Sequence, residues 1–310
     1  MSNISRRKFL NITAVALVLP FSSSSLFANT QERISWSGIA LGADSNMTLF
    51  HKNKDFGKQS LEICIKEIKR LESIFSLFDD SSSISLLNEE GYLINPPKEL
   101  IEVLSFANEI SKNTNGAFDV SVQPLWLAHA NYAKHKNIEQ LEQDIKKAKS
   151  LVSYKYIKIN NNEISFKKEN MKITLNGIAQ GYITDKITDI LRQRGFTNVL
   201  VDLGEFNSIG GYDENRDWNI ATPYLNDIKY LKLNNNAIAS SGGYGTRFDE
   251  KYHHLFDTKT GTSANFINSV TIKTSNATLA DALATAVFVM PENQREKIKS
   301  IYPNIEIYTS

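Results

Sequence analysis

The chain has a single cysteine, Cys64, among its 310 residues. One thiol excludes an intrachain disulfide and any cysteine-rich metal cluster. Leu61, Ile65, Ile68 and Leu71 surround it at helical spacing, which makes it a buried thiol on the inner face of a helix. Charge of one sign is equally scarce. Lys and Arg number 35 against 34 Asp and Glu, and the resulting +1 gives no electrostatic basis for a nucleic-acid partner. Long apolar runs are missing too: the one from Ile12 to Phe21 is shorter than the ~20 residues that a spanning helix needs. No cysteine stands directly behind that run, which excludes a lipoprotein anchor. No internal repeat or low-complexity linker divides the remainder, so it reads as one domain with the 41% hydrophobic content of an ordinary globular core.

The N-terminus carries an address. Ser5-Arg6-Arg7-Lys8-Phe9-Leu10 precedes the apolar run, and small residues lead to Leu26-Phe27-Ala28. That is the layout of a twin-arginine export signal over residues 1–28, cut after Ala28, which predicts a periplasmic protein of residues 29–310.

Along the rest, Ile34 to Phe50 predicts a strand pair broken at Gly38 and Gly42, and Lys58 to Phe78 an amphipathic helix. A second helix follows Pro96-Pro97, from Lys98 to Thr114. Asn113 to Leu125 reads as a loop bearing Phe118 and Asp119, with a tight turn at Gly116, and Asn137 to Ser150 as a solvated, charged helix. Strands are expected at Val152 to Ile159, Glu163 to Phe166 and Met171 to Leu175. Asn176-Gly177-Ile178-Ala179-Gln180-Gly181-Tyr182 then leads into a helix closed by Gly195. A strand feeding a glycine turn at a helix N-terminus forms an anion cradle, although it lacks the lysine of a phosphate loop. Further strands are expected at Thr197 to Leu203, Phe206 to Ile209, Trp218 to Thr222, Tyr230 to Leu233 and Ala237 to Ser240, followed by a small-residue loop at Ser240 to Tyr244. His253 and His254 are adjacent, so only one can face a given site.

The stretch from Asn276 to Met290 has Leu279, Leu283 and Val287 as a buried stripe, with Asp281 and Thr285 one turn apart on another face. Thr278 and Asp281 resemble a capping pair, which would put the carboxylate in the first turn. Read alone it is an alanine-rich core helix; an acid and a hydroxyl so spaced can also point at one cation.

In their order these segments resemble the FAD:protein FMN transferase, or ApbE-like, family across nearly the whole mature chain. The matching pieces are Phe75-Ser76-Leu77-Phe78 with Ile84 to Asn88, Gly116 to Asp119 with Pro124-Leu125, Gly177 to Ala179 with Gly181-Tyr182 and Asp185, and Val201 to Gly204. Ser241-Gly242, His254 with Asp257 and Thr260-Gly261, and Ala280 to Ala286 complete the series. Asn176 to Tyr182 and His253-His254-Leu255 resemble most the exported subgroup tied to nitrous-oxide respiration.

The resemblance implies a single α+β domain with a mixed, largely antiparallel sheet flanked by helices, and a flavin site between the glycine-turn helix and the alanine-rich helix. It implies transfer of FMN from FAD to a Thr or Ser hydroxyl of a partner, an exported membrane or periplasmic electron-transfer protein, with release of AMP. Mg²⁺ would be held by the Ala179 carbonyl, Asp281 and Thr285. Phe78, Ala117, Phe118, Asp119, Asn176, Tyr182, Asp185, Ser241, Gly242 and His254 would bind the cofactor, with His254 and Asp281 catalytic. Alternatives within the same resemblance are FAD hydrolysis to FMN and AMP, and a non-catalytic flavin-binding or chaperone module. The chain departs from the family at Leu41-Gly42-Ala43 for Met-Gly-Thr, Phe78 for Tyr, Gln180 for Lys, Glu205 for Gly and Thr258 for Pro. The charge lost at Gln180 would either weaken cofactor affinity or be made up by Lys186 or Arg247.

Overall fold

Alternating residues between positions 32 and 51 pair into a hairpin, β1 (Glu32–Ala40) with β2 (Ala43–His51), turned by Leu41 and Gly42 at φ 46° and 84°. Gly38 does not break β1, since it pairs with Ser45. The computed structural model describes residues 31–224 and 227–310, so the export signal expected at 1–28 lies outside them.

After the hairpin come α1 (Lys54–Phe75), α2 (Ser83–Glu90), β3 (Tyr92–Ile94), α3 (Lys98–Asn113), α4 (Gln123–His135) and α5 (Ile138–Lys149). Two short strands follow, β4 (Ile157–Ile159) and β5 (Glu163–Phe166), then α6 (Ala179–Gln193), β6 (Val199–Asp202) and β7 (Phe206–Ile209). The chain continues through β8 (Trp218–Tyr224), β9 (Asp227–Leu233), β10 (Ala237–Gly242) and β11 (Ser269–Thr274), and finishes with α7 (Ala277–Val289), α8 (Glu292–Ile301) and β12 (Glu306–Thr309).

The main sheet runs β1-β2-β6-β7-β10-β11-β12, with β3-β5-β4 a small second sheet and β8-β9 a separate hairpin. Every pair is antiparallel among the described residues, and helices flank the sheets, which is the α+β class expected. Period-two alternation sorts the sheet's two faces. Val199, Val201, Ile209 and Ala239 join the main core under α1, α6 and α7, whereas Leu200, Phe206 and Ile238 meet Trp218, Ile220, Leu231 and Leu233 of the β8-β9 hairpin.

Several boundaries differ from expectation for local reasons. The Asn53 side chain caps α1, so the helix starts early and ends at Phe75, leaving Leu77 and Phe78 beyond it. Pro124 sits in the first turn of α4, where its missing N–H is harmless, and it opens a helix the sequence reading lacked. Met171 to Leu175 forms no strand; the segment is tied instead by Asn88 to the buried Ile173 and by the Val120 carbonyl to the Thr174 N–H. Ser240 to Gly242 belong to β10, paired with Ser269 to Thr271, rather than to a loop. Asn276, not Thr278, caps α7 by accepting the Leu279 N–H, which puts Asp281 in the second turn. Leu279 is only half-buried, and α7 is covered on most sides rather than along one stripe.

The crossing of α6 and α7 depends on a glycine. A Cβ at Gly181 would stand 2.4 Å from the Ala277 carbonyl oxygen and 2.9 Å from the Asp281 Cβ. Gly181→Ala is therefore expected to destabilise the protein by ~1–3 kcal/mol through overpacking. A denaturant midpoint equal to that of the wild type would show the crossing to be looser than this.

Candidate active site

That crossing builds one end of an open cleft, whose space is about 1200 Å³ when the solvent at its mouth is included. The Gly181 N–H donates to Asp281 Oδ2 at 3.1 Å, which fixes the carboxylate against the first turn of α6. Thr285 lies one turn further along α7, and a Cβ at Gly177 would come within 2.7 Å of its Oγ1, so the turn touches the hydroxyl only because residue 177 has no side chain. Ala179, the first residue of α6, lines the cavity between them, as does Asn176. Phe78 is half exposed at the wall, where its ring can stack on a planar ligand; the hydroxyl of the family's usual tyrosine is absent.

Among the described residues of the wall there is no lysine or arginine, and its ionisable groups are Glu205, His254 and Asp281. Burial pushes Asp281 up to about 7, and burial together with the Asp281 charge pushes Glu205 well above the carboxylate range. His254 faces the cavity while its neighbour turns inward, as adjacency requires. His253 is buried against Phe288, with ring centroids 5.6 Å apart, and its Nε2 meets the Ala264 carbonyl at 2.9 Å. The His254 Nδ1 lies 3.2 Å from the Thr246 carbonyl, which can only accept, so Nδ1 carries the proton and Nε2 a lone pair. Burial, then the neighbouring His253, lower its pKa to about 4.

The cavity thus gathers Phe78, Asn176, Ala179, Ser241, His254, Asp281 and Thr285 of the residues expected from sequence. The others expected to bind cofactor lie outside its wall. Phe118 is in the core, with Ala117 packed beside it. Asp119 is buried: Oδ1 accepts from the Ser121 N–H and hydroxyl, and Oδ2 from the Tyr154 N–H. The Tyr182 hydroxyl donates to Glu102 at 2.5 Å, and the Tyr244 ring lies over Gly242. Asp185 is used within the fold, accepting from the Ala277 N–H (2.7 Å), the Thr278 N–H (2.8 Å) and hydroxyl (2.5 Å), and the Asn207 amide (2.6 Å). The polar groups of Asp119, Tyr182 and Asp185 are each satisfied by a partner within the fold.

Neither expected substitute for the missing lysine reaches the wall. Lys186 pairs with Glu102 at 3.0 Å, and Arg247 donates to the carbonyls of Gly243, Asp249 and Glu250. Gln180 lies over Gly204, whose φ of 98° leaves no room for a side chain there: a Cβ would sit 2.5 Å from the Gln180 Nε2. The sequence assigns no role to Leu41, Trp126 or Glu205, which line the cavity; Ser240, also in the wall, belongs to the small-residue stretch read as fit for a phosphate or a tight turn. For Glu205 a signal existed, an acid directly after a strand-end glycine; for Trp126 there was none.

Comparison with known proteins gives the same outline. The FAD:protein FMN transferase of Haemophilus influenzae is 28% identical over 319 aligned positions, covering 91% of this chain and 87% of its own. That of Vibrio cholerae is 25% identical over 281, covering 85% and 83%. The crystal structure of the ApbE protein from Thermotoga maritima superposes with a TM-score of 0.77 at 27% identity, covering 90% of this chain and 94% of that one. The apo flavinyl transferase ApbE of Pseudomonas stutzeri, at 18% identity, shares the fold with a TM-score of 0.78 over 92% of each chain. The sequence pattern of the ApbE family matches residues 41–309, from the cavity-lining Leu41 to the last strand, and the chain belongs to that family.

Proposed function

We propose that this protein transfers FMN from FAD to a Thr or Ser hydroxyl of a partner protein, with Mg²⁺ bound and AMP released. The observation that carries this reading is the wall itself, which holds the Asp281 carboxylate, the Thr285 hydroxyl, the glycine turn and a neutral histidine and, among the described residues, no lysine or arginine. A diphosphate buried beside Asp281 and Glu205 needs a cation, because unpaired buried charge is strongly unfavourable. The Asp281 carboxylate, Thr285 hydroxyl and Ala179 carbonyl are hard oxygen donors that suit Mg²⁺, with ligand and water oxygens completing its shell. When bound, the ion supplies charge neutralisation at the diphosphate and at the leaving group.

The protein's own groups handle the proton and the orientation. Phe78 and Trp126 offer apolar surface to the flavin. The acceptor hydroxyl oxygen attacks the phosphorus of the FMN half; a phosphoester bond forms, the bond to the bridging oxygen breaks, and that electron pair leaves with AMP. His254 Nε2 takes the hydroxyl proton, its ring held by the Thr246 carbonyl and kept neutral by burial. His254→Ala is expected to slow labelling by roughly 10²–10⁴-fold with FAD affinity within a few-fold of wild type. Because burial keeps the ring neutral, a rate that is flat across neutral pH is expected, and labelling by the Ala variant at the wild-type rate would remove His254 from the proton transfer.

Arg6-Arg7 and the apolar run behind them support action in the periplasm after removal of residues 1–28, on a membrane or periplasmic electron-transfer protein. The motifs at Asn176 to Tyr182 and His253 to Leu255 favour the accessory type associated with nitrous-oxide respiration. The direct test incubates the protein with FAD, Mg²⁺ and a flavin-accepting domain. A fluorescent, covalently labelled acceptor and an equal amount of AMP are expected. Free FMN formed in the presence of acceptor would establish hydrolysis instead, and bound FAD without turnover under any metal would leave a binding module.

A further inference from the structure

The cavity is acidic, and the chain's positive charge is concentrated elsewhere. The residues from Lys146 to Lys168 hold seven lysines, no arginine and one acid, Glu163, although the whole chain is only +1. Three elements bring most of these lysines onto one face. The last turn of α5 presents Lys146, Lys147 and Lys149. Lys168 Nζ reaches back to the Ser150 carbonyl at 2.5 Å, just past that helix, and Lys167 Nζ to the Lys155 carbonyl at 2.6 Å. Tyrosine rings lie beneath, with Lys168 4.2 Å from the Tyr156 centroid and Lys155 5.7 Å from that of Tyr154.

Among the described residues none of the six on this face has a carboxylate within ion-pair distance, so their charges stand close together without a neutralising partner. All but Lys168 are exposed. Such a concentration of like charge repels itself and is relieved by an anionic surface.

We propose that this face docks the protein on an anionic phospholipid surface. The side-chain chemistry favours lipid over an acidic protein. Arginine's planar fork is the group suited to paired recognition of carboxylates, and the face has none; lysines are point charges on long stems, suited to a diffuse sheet of phosphates. Tyrosines beside them match the composition of a bilayer interface. The face is also fastened to the cavity. The Tyr154 N–H is held by Asp119, which begins the segment carrying Val122 and Trp126 to the wall, and the Thr258 hydroxyl donates to the Gly116 carbonyl at 2.9 Å. Docking there would fix the direction in which the cavity opens relative to the membrane.

The test is sedimentation of the full chain with vesicles of phosphatidylglycerol in phosphatidylcholine, compared with phosphatidylcholine alone, at about 0.1 M salt. Binding only to the anionic vesicles is expected. The triple variant Lys146→Glu, Lys147→Glu, Lys155→Glu should bind on the order of a hundredfold more weakly while keeping its circular dichroism. A second triple variant on α1, Lys58→Glu, Lys66→Glu, Lys69→Glu, makes the same change in net charge and should bind within a few-fold of wild type. The basic residues Arg6, Arg7 and Lys8 are common to all three proteins. Equal loss in both variants, or none in the first, would overturn the proposal. Tighter binding to polyglutamate than to the anionic vesicles would also overturn it, and would assign the face to an acidic protein.

Discussion

Replacing Asp281 by Asn should abolish flavin transfer, by roughly 10³-fold or more, while making the metal-free protein more stable. The two effects have one cause. Asp281 is 4% exposed and accepts one N–H, from Gly181, with Glu205 and Asp185 close enough to raise its pKa or have theirs raised. A carboxylate so placed serves a cation and is unfavourable without one. The sign with pH follows from its raised pKa. Below the unfolded value of about 4 both states are protonated and Asp281 is neutral to stability. As pH rises from there towards about 7, the unfolded chain ionises while the folded one holds its proton, so stability is lost through that window. The Asn variant escapes this loss and should exceed wild type by ~1–3 kcal/mol at pH 7.5 without metal.

Added Mg²⁺ should reverse the order, since a ligand that binds only the folded state stabilises it by ~2.7 kcal/mol at a hundred times its dissociation constant. Thermal melts with and without Mg²⁺, paired with labelling assays, check all of this. A variant that still gains stability from Mg²⁺, or that labels its acceptor, would show the ion to be held elsewhere. One that fails to fold would make Asp281 a structural residue.

Much of this site was legible in the sequence because its chemistry is written in residues close together along the chain. Asp281 and Thr285 are one helical turn apart, and Gly177, Ala179 and Gly181 share one turn, so spacing alone puts each set on one surface. What spacing does not contain is the direction of a side chain that has a competing partner. Asp119, Tyr182 and Asp185 are polar groups in the right neighbourhood, yet their partners Ser121, Glu102 and Thr278 turn them away from the cavity. The Tyr182 and Asp185 partners lie 80 and 93 positions distant, beyond any local pattern. The extent of α7 was misread for a related reason. Its alanines look like a permissive face, but β10, β11, α3 and α6 all pack on it, so burial reaches residues that a single stripe would leave exposed.

Asp185→Ala should destabilise the protein by ~2–4 kcal/mol and lower activity only as a consequence. Its carboxylate receives four hydrogen bonds, two of them from the Ala277 and Thr278 N–H groups at the start of α7. Those donors have no partner within the helix, and a carboxylate there also meets the positive end of the helix dipole. Asn276 still caps the Leu279 N–H, so the helix persists in the variant with its first turn loosened. Loss of charge-assisted bonds of this kind costs ~1.5–3 kcal/mol each before the relief from removing a buried charge. The same turn leads directly to Asp281 and Thr285, which carry the proposed cation. Urea unfolding of the apoprotein should show a lower midpoint with an unchanged slope, and FAD affinity should recover when the assay is cooled well below the variant's melting temperature. An apoprotein as stable as wild type, but with weakened FAD binding at every temperature, would instead make Asp185 a direct ligand contact reached through a rearranged α7.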